Sequence, residues 1–394
     1  MKRNVFVASG ARTPIGSFNG VFSELTAPQL GGVVIKSAIQ RAKARLADVD
    51  EVIMGNVLSA GLGQNAARQA ALNAGLPVSC GATTVNKMCG SAMCAVRMAS
   101  QAIQCGDAEV VIAGGMENMT RAPYLLSKAR GGYRLGNGEL IDTLLHDGLL
   151  DASSHVHMGN CAEVCAREYH ISREEQDEYA IESYRRWHGA NAGGRFKDEI
   201  APVEIEGRNG KTIIMSDEEP AKFEESKLYS LKPAFELDGT ITAGNASSLS
   251  DGAAAILLAS DERAKALGLR QEARILGYAN VAVDPKRFTV APIHALGKLF
   301  ERLSLKPSQV DLFEINEAFS VVVLAAMKEL SLPHAKVNVF GGAVALGHPI
   351  GASGARIIVT LMNALRVRKG RIGVATICIG GGEAIAIAIE RYDG

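Results

Sequence analysis

Short β-branched runs alternate with longer stretches of helical period along most of the chain. NVFVASG (4–10), EVIMGNV (51–57), TTVNKM (83–88) and EVVIAGG (109–115) mark the first part. DLFEIN (311–316), KVNVFGG (336–342) and GVATICIGGG (373–382) mark the last. Strands apolar on both faces, separated by helix-length segments, predict an α/β fold with a largely parallel sheet covered on both sides. Between 119 and 249 the texture turns more polar and includes the single Trp. There SREEQDEYAIESYRRWHGANAGGRF (172–196) predicts an amphipathic helix, with Ser172 as N-cap and Glu175 closing a capping box. This stretch is expected to form a lobe of its own.

The two flanking parts resemble each other. LADVDEVIMGNV (46–57) and PSQVDLFEINEA (307–318) each set Val-Asp before an apolar strand. TTVNKMCGSA (83–92) and AKVNVFGGAV (335–344) each bring Val-Asn to a strand end followed by small residues. DAEVVIAGGM (107–116) and GRIGVATICIGGG (370–382) each close a strand in glycines. The repeated order predicts an internal duplication, two α/β halves with a site where their strand ends meet. The expected division is 1–118 with 250–270, an inserted domain 119–249, and 271–394.

Length and composition narrow the classes. A chain of 394 residues exceeds one hydrophobic core. Lys+Arg and Asp+Glu both total 42, so nothing favours nucleic acid or an anionic membrane. No apolar run approaches a membrane span. The opening MKRNVFVASGARTPIG lacks the apolar core of a secretion signal, and the closing ERYDG is not a peroxisomal address. Seven cysteines without such a signal predict free thiols in a reduced, cytoplasmic protein.

Four positions stand out chemically. Cys89 lies between a strand and a helix, where the helix dipole is expected to lower its pKa. His348 sits among glycines 341, 342, 347, 351 and 354, in a loop that exposes backbone N–H groups before a helix. Cys378 ends a strand and meets Gly380–Gly382, a hairpin whose glycines suit close backbone approach. Asn316 closes another strand and can aim an amide at developing negative charge. Cys80, Cys94, Cys105, Cys161 and Cys165 read as ordinary core thiols. GLGQNA (61–66) lacks the downstream acid of a dinucleotide site, and HVHMGNCAEVC (155–165) lacks ordinary zinc spacing, so no metal is expected.

NKMCGSAMCAV, GGMENMTRAPY, HMGNCAE, TAGNASSLSDGAAA, NEAFS, GGAVALGHPIGASGAR and CIGGG occur in that order, and together they resemble the thiolase family over essentially the whole chain. The likeness is nearest to its short-chain branch. It implies the thiolase fold, two duplicated halves stacked in layers with an inserted loop domain. It also implies reversible condensation of two acetyl-CoA to acetoacetyl-CoA and CoA, usually by a dimer or tetramer, here expected to be a homotetramer. By the same resemblance Cys89 is acetylated, His348 activates it, and Cys378 takes the α-proton of the second substrate. Asn316 would hold a water at the enolate, and the amides of Cys89 and Gly380 would hold the acyl oxyanion. His157, Met158, Ser247 and Phe319 would line the pantetheine channel, with Lys222 a candidate for the CoA phosphates. CoA is a substrate, so no cofactor is implied; GYANVAVDPKRF (277–288) resembles potassium-responsive members. Ser248, Met93 and Glu383 depart from the family's usual residues. Competing readings are a degradative 3-ketoacyl-CoA thiolase of broader chain length, a non-catalytic binding protein of the family, and a nicotinamide oxidoreductase.

Overall fold

The computed structural model describes residues 3–207 and 210–392; Met1–Lys2 and the last two residues of ERYDG lie outside them. The frame runs β1 (Val5–Arg12), β2 (Glu51–Gly55), β3 (Gly81–Val85), β4 (Val110–Asn118), β5 (Ser250–Ser260), β6 (Ala273–Ala282), β7 (Leu312–Ile315), β8 (Ile372–Ile379) and β9 (Glu383–Arg391). Its main helices are α1 (Ala27–Ala42), α2 (Ser91–Cys105), α3 (Met158–Tyr169), α4 (Arg173–Ala192), α5 (Ala291–Leu303) and α6 (Ser353–Arg368).

The strands lie in the order β3-β2-β4-β5-β1-β6-β9-β8-β7. From β1 outward the first half pairs antiparallel to β5 and β4, then parallel to β2 and β3. From β6 outward the second half pairs antiparallel to β9 and β8, then parallel to β7 and, by a single bridge at Phe313, to Val337. The halves join where Phe6 and Val7 meet Arg274 and Ala273. The sheet is therefore mixed rather than largely parallel. Continuous apolar runs report burial on both faces, and here helices cover antiparallel strands as well.

Helices α2 and α6 pack between the two half-sheets in one central core. α1 covers the outer face of the first half, and α5 and α3 the outer face of the second. Strand β9, EAIAIAIER, shows how sequence sets this layering. Ile385, Ile387 and Ile389 fill the central core, while Ala384, Ala386 and Ala388 leave room for the outer helices.

The duplication has a local anchor. Asp50 Oδ2 accepts the amides of Glu109 and Val110 at 2.8 and 2.9 Å, and Asp311 Oδ2 accepts those of Arg371 and Ile372 at 2.7 and 2.8 Å. These Asp residues belong to the Val-Asp pairs matched by sequence. The Val-Asn match is displaced by contrast. Val337 sits opposite Phe313, the counterpart of Val52, and Val52 faces Ala82, three residues before Val85.

Residues 119–249 leave at the end of β4 and return at the start of β5, where Asn118 and Asp251 pair. α4 is capped as expected, with Ser172 Oγ accepting Glu175 N at 3.2 Å and Glu175 Oε2 accepting Ser172 N at 2.7 Å. This stretch does not stand apart with a core of its own. Trp187, Phe196 and Ile200 enter the central core, and buried Arg12 of β1 pairs with Glu199 and Asp217 at 2.7 and 2.6 Å. Among the described residues no helix is long and apolar enough to cross a membrane.

Candidate active site

Cys89 stands on the turn between β3 and α2, one residue before the helix cap Gly90. Met88 is held at φ +47°, in the left-handed region. Ser91 fixes the turn, accepting Lys87 N at 2.8 Å and donating to the Met88 carbonyl at 2.6 Å. The amides of Gly380 and of Cys89 itself point at the sulfur and favour its thiolate. Burial outweighs them and pushes the thiol up to about 11. The expectation of a lowered pKa is thus overturned: desolvation dominates the helix dipole, and the resting group is the neutral thiol.

His348 lies in the glycine-rich loop ahead of α6 and is buried. Its Nδ1 is 2.6 Å from Ser353 Oγ, and that hydroxyl donates to the Pro349 carbonyl at 3.0 Å. The serine proton is thereby committed, so Nδ1–H donates to Ser353 and Nε2 keeps its lone pair. Nε2 lies 3.5 Å from Asn316 Nδ2. Burial, then the charge of Arg356, pushes the imidazole down to about 3. The ring is a neutral base at physiological pH.

Cys89, His348 and Gly380 line a cavity of about 530 Å³. His157, Met158, Ser247 and Phe319 form part of the same wall. Ser247 is tied to the Ala318 carbonyl through both its amide and Oγ, at 3.1 and 2.9 Å. His157 caps α3, its Nδ1 accepting Gly159 N at 3.0 Å. Cys378, fully buried at the end of β8, lies behind the cavity rather than on its open wall. Burial, then the nearby Cys89, raises its pKa well above the ordinary value. The hairpin that follows carries Gly381 and Gly382 at φ +92° and +89°, which L side chains rarely adopt. Asn316 is fully buried between His348 and Arg356. Lys222 is not on the wall: its ammonium sits 3.1 Å from Glu219 and 3.5 Å from Glu218, so a phosphate would compete with two carboxylates.

Sequence reasoning missed several residues that shape this site. Phe235 stacks on His157 at 4.7 Å and meets Phe319 edge-on at 6.2 Å; nothing in PAFELDGT signals that wall. Ser353 was readable only as a small residue at a helix start. Glu117, fully buried in β4, accepts the amides of Val57, Leu58 and Gly351 at 3.0, 3.1 and 2.9 Å. It thereby holds the His348 loop against the first half. Gly115 permits that approach, since a Cβ there would lie 2.0 Å from the Gly351 oxygen.

A neutral imidazole and a half-buried thiol on one cavity wall, amide donors at the sulfur and a second buried thiol can together transfer an acyl group through a thioester. Comparisons with known proteins point the same way. Family models for the thiolase N-terminal and C-terminal domains match residues 5–262 and 269–391. An acetyl-CoA acetyltransferase of Schizosaccharomyces pombe is 50% identical over 389 residues, 98% of either chain. One from Escherichia coli is 50% identical over 393 residues, 99% of this chain and all of its own. The acetyl-CoA acetyltransferase of Bacillus anthracis superposes with TM-score 0.97 at 43% identity, covering 99% of both chains. The Acat5 thiolase of Ascaris suum, solved with coenzyme A, gives TM-score 0.94 at 46% identity, covering 99% of this chain and all of its own. With both family models spanning nearly every described residue, and Cys89 and His348 at one cavity with Cys378 and Asn316 buried beside them, this chain belongs to the thiolase family.

Proposed function

We propose that the protein is an acetyl-CoA C-acetyltransferase that condenses two acetyl-CoA to acetoacetyl-CoA and CoA, reversibly, with Cys89 as acyl carrier. The observation that carries this reading is the cluster of Cys89, neutral His348 and the Gly380 amide at one cavity, with Cys378 behind it.

Both cysteines begin as thiols. His348 Nε2 takes the Cys89 proton as sulfur attacks the first thioester, and the amides of Cys89 and Gly380 hold the oxyanion. The C–S bond to CoA breaks, and the departing thiolate takes the Cys378 proton. Cys378 is left as a thiolate in a desolvated place, a strong base for the α-proton of the second acetyl-CoA. Imidazolium Nε2–H and the Asn316 amide, through a water, stabilise the enolate oxygen, a single such donor contributing about 3–4 kcal/mol. The enolate carbon attacks acetyl-Cys89, the C–S bond breaks, and the released thiolate recovers its proton from His348. The catalytic groups return to their starting states.

His157, Met158, Ser247 and Phe319 form the pantetheine channel in this reading, and Lys222 would reach a CoA phosphate only by giving up Glu218 and Glu219. The side chains and amides account for the proton and charge movements, so the reading includes no resident cofactor; a potassium response is tested by assay with and without the salt. The reading includes a homotetramer; exposed apolar Tyr124, Leu126, Leu135 and Leu140, around the short hairpin of Tyr124–Leu125 and Ile141–Asp142, offer a surface for self-association. In this reading the protein acts in the cytoplasm and engages neither nucleic acid nor membrane, in keeping with its balanced charge and with the lack of a membrane-length helix among the described residues.

The test is thiolysis with CoA across 3-ketoacyl-CoA chain lengths, beginning at acetoacetyl-CoA. A steep fall beyond four carbons is expected. Flat or rising rates would replace this reading with the broad degradative one and leave the cysteine chemistry intact.

A further inference from the structure

We propose that Arg356, backed by the buried carboxyl of Glu314, orients the Asn316 amide, making both of them positioning residues for condensation. The inference rests on the functional reading above and concerns two residues to which that reading gives no task.

Arg356, on α6, is 1% exposed, and Glu314, on β7, is equally buried. Arg356 Nη2 lies 3.3 Å from Asn316 Oδ1, and Nη1 lies 3.8 Å from Glu314 Oε2. That separation is too long for a hydrogen bond, and Nη1 and both Glu314 oxygens have no other hydrogen-bond partner among the described residues. Burial, only partly offset by Arg356, raises Glu314 to about 8, and a buried pair so poorly satisfied loses more to desolvation than it gains. Nor does the fold require charge at this position. Counting from the Asp50 and Asp311 anchors, the counterpart of Glu314 in the first half is Ile53, which simply fills the central core.

What the pair does accomplish is directional. A guanidinium donates and cannot accept, so an amide facing it must present oxygen. Asn316 then presents Nδ2 to Nε2 of His348, which lines the cavity, as the proposed enolate site needs. The other charges acting on Arg356 are engaged elsewhere. Glu199 pairs with Arg12, and Glu317 accepts from Tyr179, Ser183 and Asn338. Glu314 is left facing the guanidinium from 3.8 Å, with no hydrogen-bond partner among the described residues.

The test is a double-mutant cycle of Arg356→Met with Asn316→Ala, read by thiolysis kcat and KM and by the mass of acetyl-Cys89. Arg356→Met should lower kcat by about 10–100-fold, less than a deleted oxyanion donor can cost, with KM within about twofold. Cys89 should still acetylate. In the Asn316→Ala background the same change should cost no more than about twofold. A full, multiplicative loss in that background, or an unchanged kcat in Arg356→Met, overturns the proposal. Arg356→Lys and Glu314→Gln go through the same cycle, so a Met variant that fails to fold does not end the test. Absence of thiolysis in the unmutated protein would instead overturn the functional reading.

Discussion

The two halves share a strand plan and divide the chemistry. Stepping along the strands from the Asp50 and Asp311 anchors, Gly55 corresponds to Asn316 and Met116 to Cys378. In the first half these places are structural. A Cβ on Gly55 would lie 2.7 Å from both Ala92 N and the Gly351 oxygen, and Met116 fills the outer core. In the second half the same places hold an amide and a thiol. The first half contributes its nucleophile from a turn instead, and one buried carboxylate, Glu117, that clamps the partner half's histidine loop. Duplication supplied two similar strand ends, and different side chains turned one into support and the other into acid–base machinery.

The largest break in that division should come from Cys89→Ser. It should remove the thioester adduct seen by intact mass after acetyl-CoA and lower kcat by roughly 10⁴-fold or more. A normal adduct in that variant would transfer the nucleophile elsewhere. Cys378→Ala should separate the halves, keeping acetylation of Cys89 while condensation falls by about 10²–10⁴-fold. Condensation at the wild-type rate would mean that another group takes the α-proton.

A subtler contrast lies in pH-dependent stability. Burial raises Glu117 from 4.5 to about 7, so the folded state holds that proton more tightly than the unfolded chain. Its contribution to stability therefore falls as pH rises from about 4.5 to about 7, by up to about 3 kcal/mol. Glu117→Gln should lower stability through lost amide contacts, and the gap to wild type should narrow between pH 5 and pH 7.5 in urea unfolding. His348 acts with the opposite sign. Its value drops from 6.5 to about 3, so its contribution is present above pH 6.5 and lost as pH falls through that window. His348→Asn should relieve a loss at acid pH that Glu117→Gln leaves in place; parallel curves for the two variants would contradict these opposite shifts. The smallest effect concerns the ion pair that crosses between halves, Lys87 with Glu383. Both side chains are partly exposed, so Glu383→Gln should cost under about 1 kcal/mol and less at high salt.

Much of this was legible along the chain because it is written locally. The Val-Asp pairs place Asp50 and Asp311 where each caps two amides, which is why they signalled a real repeat. The alternation in EAIAIAIE revealed a strand with one large and one small face. Val-Asn misled, because two residues can recur near a strand end without sharing register. The site divided similarly. Cysteines, a histidine and glycines at strand ends were visible by type. Phe235, Ser353, Glu117 and the Glu314–Arg356 pair were not, since their roles rest on partners from about 5 to more than 200 positions away.

The amino-acid sequence by itself determined the element order, the duplicated plan, and the kinds of groups available for acyl transfer. Each follows from residue type and short-range periodicity. Only the tertiary structure decided protonation. It pushed Cys89 up to about 11 and His348 down to about 3, and it chose the histidine tautomer through Ser353. Those outcomes depend on how much water is excluded and which dipoles surround each atom, and packing creates both only when distant segments meet.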